Sequence, residues 1–276
     1  MNINKFLYPL LIGLFTFTVA ISITACNDNA EADKQNLDQP VSLTIYTGRT
    51  MVDPLMVLVK EFEQKKQITI EVKQGASGYL YDTLKTEKTG DIYFPGSKSY
   101  GDQGRKENLM SYAVFVGYNR LAFFVQKGNP KHLTNDLNHL MDPNLSVVLG
   151  TKDSGAVGKA TRKLLTKLNI ADQSYENAAY FTTDSRELFN AIVEKKADLT
   201  LNWFAVSKWK GASNALEVIP LDSNLAKPKI LELNLLNSSK NKQLAKEFLN
   251  YVGSKHGLTV FYKHGFLTDD EFKLAK

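Results

Sequence analysis

The sequence predicts an α/β fold in which parallel strands alternate with helices. Short apolar runs rich in β-branched residues alternate with segments whose apolar residues recur at helical spacing, and glycine-rich loops join many of them. Of the 276 residues, 43% are hydrophobic and 23% are charged, which is typical of a globular chain that can bury a core. This composition excludes collagen-like, low-complexity and wholly disordered chains.

The first α/β unit is predicted close to the start of the folded part. Its elements are a strand at 41–46, a helix at 53–64, a strand at 68–72, a helix at 77–88 and a strand at 91–94. This order and spacing indicate a parallel βαβαβ unit. Such sheets bind ligands beyond the carboxyl ends of their strands, here the loops 47–50, 75–78 and 95–99.

A second α/β unit is predicted downstream of an apolar stretch at 113–124. Its elements are a strand at 146–149, a glycine-rich loop at 150–157, helices at 158–167 and 185–195, and a strand at 197–203. A late strand at 230–236, an amphipathic helix at 241–252 and an apolar segment at 258–266 close the predicted fold.

The N-terminus indicates export from the cytoplasm. Lys5 precedes the uncharged apolar run 6–23, as in a signal peptide. The next residues complete the sequence Ile-Thr-Ala-Cys at 23–26, which resembles the bacterial lipoprotein signal. The resemblance implies cleavage before Cys26, a diacylglycerol thioether on its sulfur and acylation of its new amino group. An ordinary secretory peptide with an incidental cysteine is the alternative. Cys26 is the only cysteine of the chain, which favours the lipoprotein.

From these features we expect a signal peptide at 1–25 and a polar, flexible tether at 26–40. The mature protein would lie in the periplasm or at the cell surface, anchored to a bacterial membrane by lipid on Cys26. ATP and NAD are scarce there, which argues against kinases and dehydrogenases.

Charge and residue usage restrict the partners. The 34 Lys and Arg exceed the 29 Asp and Glu, giving a net charge of +5 that is scattered along the chain. This fits a small anion or an anionic membrane surface and not a nucleic acid, which needs a clustered basic stripe. One cysteine and four histidines without ligand spacing predict no metal site, and no motif predicts a cofactor.

Three glycine-rich loops could bind an anion: TGRT at 47–50, GASG at 75–78 and DSGAVGK at 153–159. Each would present unpaired N–H groups at the start of a helix, where the helix dipole favours negative charge. Thr50 and Ser77 would add hydroxyl donors, and Arg49 a guanidinium. The alternative is that glycine and serine only form turns and caps, but three such loops on one side of the sheets favour an anion site.

Catalysis has less support in the sequence. The DSGAVGK loop lacks the spacing of a nucleotide-binding phosphate loop, and GASG is followed by Tyr79 where a nucleophile elbow needs glycine. We therefore expect a protein that is not an enzyme, with a surface hydrolase as the least favoured alternative.

Several segments resemble the periplasmic solute-binding proteins of ABC importers, and among them the molybdate- and tungstate-binding proteins. These segments occur in the family's order and cover most of the mature chain: YTGRTMVDPL (46–55), GASGYL (75–80), GDIYFPGS (90–97), SGAVGKAT (154–161), DSRELFNAIVEKKADL (184–199) and NSSKNKQLAKEFLNYVGSKHGLTVFYKHGF (237–266). The last, two helices ending in a basic-x-Gly-Phe turn, is the most specific.

The resemblance implies the type II fold of this family: two lobes, each a mixed, mostly parallel sheet flanked by helices, joined by a two-strand hinge. Lobe one would comprise 41–118 and 226–276, and lobe two 119–225. The ligand would be held between the lobes. Carried over by position, the family's donors fall on the following residues: Thr50, Ser77 with Gly78, Ala156 or Val157, Ser185 and Trp203.

The resemblance also implies the function: a monomeric binding protein that captures a small inorganic oxyanion for an ABC permease. Molybdate or tungstate is expected first. Arg49 beside Thr50, and an indole at Trp203 where the family has a phenol, leave phosphate, phosphonate, sulfate and an organic carboxylate as alternatives. A lipoprotein of the same fold that reports its liganded state to a membrane receptor is the alternative function.

Overall fold

The computed structural model describes residues 42–153 and 155–275. The predicted signal peptide, the tether and Cys26 lie outside the described residues, as does Ser154 in the DSGAVGK loop. None of the helices in the described part is long and apolar enough to cross a bilayer.

Strands and helices alternate along the described chain. The strands are β1 Ser42–Gly48, β2 Thr69–Gly75, β3 Ile92–Phe94, β4 Met110–Asn119, β5 Leu121–Gln126, β6 Val147–Gly150, β7 Ala178–Thr182, β8 Leu199–Trp203, β9 Leu216–Pro220 and β10 Lys229–Leu236. The α-helices are α1 Val52–Lys66, α2 Ser77–Glu87, α3 Lys98–Lys106, α4 Ala156–Lys167, α5 Ala171–Asn177, α6 Ser185–Val193, α7 Ala212–Ala215, α8 Lys242–Val252, α9 Lys255–Lys263 and α10 Asp269–Leu274. Short 3₁₀ helices occupy Arg49–Met51, Leu137–Met141 and Phe204–Lys208.

The strands form two five-stranded sheets of matching design. The first has the order β2-β1-β3-β10-β4, and the second β7-β6-β8-β5-β9. In each sheet one strand, β1 or β6, pairs in parallel with two neighbours, while β10 or β5 pairs antiparallel with two. The predicted α/β class with two mixed, helix-flanked sheets is confirmed, and β1, β2 and β3 form the predicted parallel unit.

Large apolar side chains fill the space between the sheets and their helices. Under the first sheet, Leu43 and Ile45 of β1 pack in one buried cluster with Phe248 of α8 and Phe261 of α9. A second cluster surrounds the other sheet and extends to the first through side chains such as Tyr93. The burial of apolar side chains is the main stabilising contribution to such a fold, at about 25 cal/mol per Å² of apolar surface removed from water.

The chain crosses between the sheets twice, by connections of different length. Only Arg120 separates β4 from β5, whereas residues 221–228 connect β9 back to β10. The Arg120 guanidinium donates to the carbonyl of Phe266 at 3.4 Å and pairs with the carboxylate of Glu271 in α10. The shorter connection is therefore tied to the C-terminal helix.

Three sequence expectations differ in detail. Helix α4 begins at Ala156, two residues before its predicted start, and Ala156 and Val157 of its first turn line the cavity between the sheets. The apolar stretch 113–124 divides into the end of β4 and the start of β5 at Arg120. The apolar segment 258–266 lies in α9 and the turn after it.

Candidate functional site

Five loops and the last residue of strand β8 meet in one small cavity. The loops follow β1, β2 and β3 of the first sheet and β6 and β7 of the second, so each contribution lies at the carboxyl end of a parallel strand. The cavity has a volume of about 280 Å³ and the following described lining residues: Gly48, Arg49, Thr50, Met51, Gly75, Ala76, Ser77, Gly96, Gly155, Ala156, Val157, Thr183, Asp184, Ser185 and Trp203.

Two helices begin at the cavity without a side-chain cap from the residues that the structure describes. The N-cap residues Ala76 of α2 and Gly155 of α4 have extended backbones and make no side-chain cap bond. The first N–H groups to bond within each helix are those of Leu80, to the Ala76 carbonyl at 3.0 Å, and of Lys159, to the Gly155 carbonyl at 3.1 Å. The preceding N–H groups of both helices are thus left for another acceptor, as in anion sites at helix starts.

The third helix start at the cavity, that of α6, carries its own acceptor. Oδ1 of Asp184 accepts from the backbone N–H groups of Arg186 at 2.8 Å and Glu187 at 3.2 Å. Oδ2 of the same carboxylate accepts from Nε of Arg49 at 3.1 Å. The guanidinium that the sequence offers as an anion ligand is therefore paired with a carboxylate of the opposite sheet, and the two charges cancel.

Three buried hydroxyls lie at the cavity, and two of them keep a hydrogen to donate. Thr50 Oγ1 donates to Ser185 Oγ at 3.1 Å, across the boundary between the two halves of the molecule. Ser77 Oγ accepts from the backbone N–H of Gly96 at 3.0 Å. Because each serine oxygen serves as an acceptor in these bonds, the hydroxyl hydrogens of Ser77 and Ser185 stay available for a ligand.

Buried polar side chains hold the two serines in place. The Tyr93 hydroxyl donates to the carbonyl of Ser77 at 2.6 Å, and burial raises the pKa of Tyr93 well above its ordinary value, so that it remains a donor. On the other side, Asn202 Nδ2 donates to the carbonyl of Ser185 at 2.9 Å, while Asn202 Oδ1 accepts from the N–H of Trp203 at 2.8 Å. Both serines therefore have fixed backbones.

The two walls of the cavity approach each other closely. A methyl group in place of the Gly96 hydrogen would lie 2.8 Å from Cβ of Ala156 on the opposite wall, closer than real Cβ atoms come. A Cβ atom at Gly155 would lie 2.8 Å from the carbonyl oxygen of Thr183 and 3.9 Å from the methyl group of Ala76. Glycine is thus needed at Gly96 and Gly155 for a cavity this narrow.

Seven of the eight sequence-predicted ligand residues line this cavity: Arg49, Thr50, Ser77, Ala156, Val157, Ser185 and Trp203. Gly78 is buried in the first turn of α2 and is absent from the lining, although its N–H is one of the unpaired groups of that turn. The sequence reasoning missed Asp184. A signal for it was present, since Asp-x-x-Glu before an apolar run marks a helix start.

The described lining contains neither a histidine nor a cysteine, and Asp184 is its single carboxylate. Within residues 42–153 and 155–275, no group of three or more His, Cys, Asp or Glu side chains could hold a metal ion. The chemistry that this lining offers is hydrogen-bond donation to a small guest.

A family model described as bacterial extracellular solute-binding protein matches residues 43–267, nearly all of the described chain. The chain belongs to this family. It is thus a solute-binding protein of a family that acts outside the cytoplasm.

Several known proteins are similar over most of their length. A Bacillus subtilis protein named as an ABC transporter substrate-binding lipoprotein, YvgL, is 23% identical over 94% of this chain and 98% of its own. Among solved structures, the periplasmic molybdate-binding protein of Azotobacter vinelandii has a TM-score of 0.71 at 13% identity, covering 82% of this chain and 99% of that one. A periplasmic thiamin-binding protein has a TM-score of 0.72 at 17% identity, covering 84% of each chain. These structures share the fold and bind different solutes.

Proposed function

We propose that this protein captures a small tetrahedral oxyanion, molybdate or tungstate first, and delivers it to the permease of an ABC importer. The observation that carries the proposal is the pair of uncapped helix starts, α2 and α4, which face one small cavity from opposite sheets. Unpaired N–H groups at a helix start carry a partial positive charge, so they bind an anion without a charged side chain.

The donor set favours an anion without protons. Ser77 and Ser185 can each donate a hydroxyl hydrogen, and the backbone groups of α2 and α4 can only donate. The carboxylate of Asp184 already accepts three hydrogen bonds, so it has little capacity left for a proton on the guest. Hydrogen phosphate would bring such a proton, whereas molybdate, tungstate and sulfate dianions would not. Phosphate and phosphonate therefore come second.

Binding is proposed to involve closure of two lobes. Lobe one would be 41–118 with 226–276, and lobe two 119–225, so that Thr50 and Ser77 would lie on one lobe and Ser185 on the other. In the structure these walls already touch through the Thr50–Ser185 and Arg49–Asp184 contacts. Closure would replace the water around the anion by fixed donors, and an anion with unfilled hydrogen-bonding positions would be rejected at a cost of several kcal/mol.

Delivery and anchoring are supported by similarity. YvgL is named as a lipoprotein of an ABC transporter and matches nearly the whole chain, and the molybdate-binding protein shares the fold. Cys26 would carry the lipid. Replacement of Cys26 by alanine would then release the protein from the membrane fraction into the soluble fraction, whereas retention of the Cys26→Ala protein in the membrane would rule out the lipid anchor.

Calorimetric titration of the ligand-free mature protein tests the proposed solute. Molybdate, tungstate, sulfate, phosphate and methylphosphonate are added in turn, with thiamin as an organic cation for comparison. We expect micromolar or tighter binding of molybdate and tungstate, weaker binding of phosphate and no heat with thiamin. Absence of heat with every oxyanion would reject the proposal.

A further inference from the structure

A second concave surface lies next to the cavity, between α4 and the connection that leads back to β10. It consists of two adjoining cavities of about 480 and 470 Å³, which share Ala160, Lys163 and Lys229. We call this surface the lysine groove. Its five basic residues are Lys159, Lys163, Lys167, Lys227 and Lys229.

The positive charge of the lysine groove has no partner in the described part of the chain. No carboxylate is among the described residues that line either cavity, and within residues 42–153 and 155–275 none of the five ammonium groups forms an ion pair. Nζ of Lys159 stands 4.5 Å from the ring centre of Tyr100. Burial, and then repulsion by Lys163, lowers the pKa of Lys229. A bound anion would reduce the repulsion between these neighbouring ammonium groups.

The floor of the cavity that Lys167 and Lys227 line is apolar. Leu121, Ala160, Leu164 and Ala226 are buried and line it, and Leu225 is half-buried. Lysines at positions 159, 163 and 167 follow one another at four-residue spacing, so they lie along one face of α4 at the edge of this floor. The groove thus combines a hydrophobic floor with a cationic rim.

We propose that the lysine groove is a second binding site, for an organic anion with an apolar body and a sulfonate, phosphate or carboxylate group. The apolar body would rest on the leucine floor, and the anionic group would contact Lys163 and Lys229. The concave, apolar floor favours such a molecule over a flat membrane surface. Extended lysines without a concave floor would be enough to bind an anionic membrane surface.

The proposed site adjoins the oxyanion cavity, shares only Ala156 with its described lining and does not depend on its function. Ala156 lines the groove cavity that also contains Lys159, and its methyl group lies close to Gly96 at the wall between the two sites. A guest in the groove therefore leaves the N–H groups of α2 untouched.

Fluorescence titration with anilinonaphthalene sulfonate, an aromatic anion, tests the site on the mature protein. Neutral phenylnaphthylamine serves as the uncharged comparison probe. The variant Lys163→Gln with Lys229→Gln removes two rim charges. The variant Lys131→Gln with Lys240→Gln removes two exposed lysines that line neither cavity and is the matched control. A second groove variant, Lys163→Glu with Lys167→Glu, changes only exposed positions of α4.

We expect both groove variants to bind the sulfonate at least about tenfold more weakly, while the control stays within about twofold of the original protein. Saturating molybdate should leave the sulfonate affinity unchanged, and phenylnaphthylamine should bind more weakly than the sulfonate. Equal binding by the folded groove variants, equal loss in the control, displacement by molybdate or equal affinity for the neutral probe would each overturn the proposal.

Discussion

Helices α2 and α4 begin at the cavity with N–H groups that no described side chain caps. Helix α6 also begins there, but the carboxylate of Asp184 accepts hydrogen bonds from its first N–H groups. All three starts lie on the lining of the same cavity, so they differ in capping rather than in position. A self-capped helix has satisfied its own donors, and an uncapped one needs an acceptor from outside. In the proposed site, the backbone N–H groups of α2 and α4 would therefore bind the guest, while α6 would contribute the Ser185 hydroxyl and no free N–H group of its capped start.

The largest effect is expected when α2 is made to resemble α6. Ala76 has the extended backbone of an N-cap residue, so Ala76→Asp should cap the helix and place a negative charge in the cavity. Molybdate binding should weaken more than about 100-fold, because the donors are occupied and the charge repels the anion, while the helix gains about 1 kcal/mol. Calorimetry and thermal unfolding measure the two effects.

The control for this change is Ala76→Asn, which caps as well as aspartate but carries no charge. This variant separates the effect of occupying the N–H donors of α2 from the effect of charge repulsion on the anion. If both variants bound molybdate as the original protein does, the free N–H groups of α2 would not be ligands.

A large effect is also expected from a methyl group at the wall of the cavity. Gly96→Ala places Cβ 2.8 Å from Ala156, which should hold the two walls apart and weaken binding about tenfold or more. Gly75→Ala is the matched control, because its methyl would meet Leu80 at 3.3 Å, a flexible side chain of its own half. Calorimetry compares the two. Equal affinities would contradict a closed cavity in which the walls must touch.

Smaller effects on anion affinity, opposite in sign, are expected when either partner of the Arg49–Asp184 pair is replaced. Asp184→Asn keeps a good cap on α6 but frees the positive charge of Arg49 beside the cavity, so anion binding should strengthen roughly fivefold. Arg49→Gln leaves the carboxylate uncompensated and should weaken binding by a similar factor. Changes of the same sign in calorimetric titrations of the two variants would show that the pair acts by geometry and not by charge.

The smallest effect is expected at a carboxylate far from the cavity lining. A hydrogen bond from the Tyr251 hydroxyl at 2.5 Å, and then one from His256, lowers the pKa of Glu61 below 4.5. Its stabilising contribution is therefore fully present above about pH 4.5 and is lost as the pH falls through the lowered value. Glu61→Gln should cost about 0.5 kcal/mol of unfolding free energy at pH 7, less in acid, with unchanged molybdate binding. Urea unfolding at several pH values checks this, and a cost that grew in acid would contradict it.

Local patterns made much of the fold predictable. Loops 47–50 and 75–78 follow apolar strands and precede amphipathic helices, so both their place and their free N–H groups can be deduced from the sequence. The pairing of Arg49 with Asp184 could not be deduced, because the two residues are 135 positions apart and meet only when the sheets pack.

Helix α3 shows what local patterns omit. Its sequence KSYGDQGRK contains two glycines and few apolar residues, so it has weak helical preference. Both glycines pack against other elements: a Cβ at Gly101 would lie 2.5 Å from Asn234, and one at Gly104 would lie 2.6 Å from Met110. The helix therefore depends on close contact with the first sheet, which a sequence window does not show.

Arg120 alone joins β4 to β5, and its guanidinium is fastened to Glu271 near the end of the chain. Helix α10, which holds Glu271, is itself secured by the stacking of Phe272 on Tyr262 at 4.6 Å between ring centres. In the proposed closure of the two lobes, α10 would hold the short connection about which they turn. The stiffness of that motion would then depend on a helix that is absent from the described lining of the oxyanion cavity.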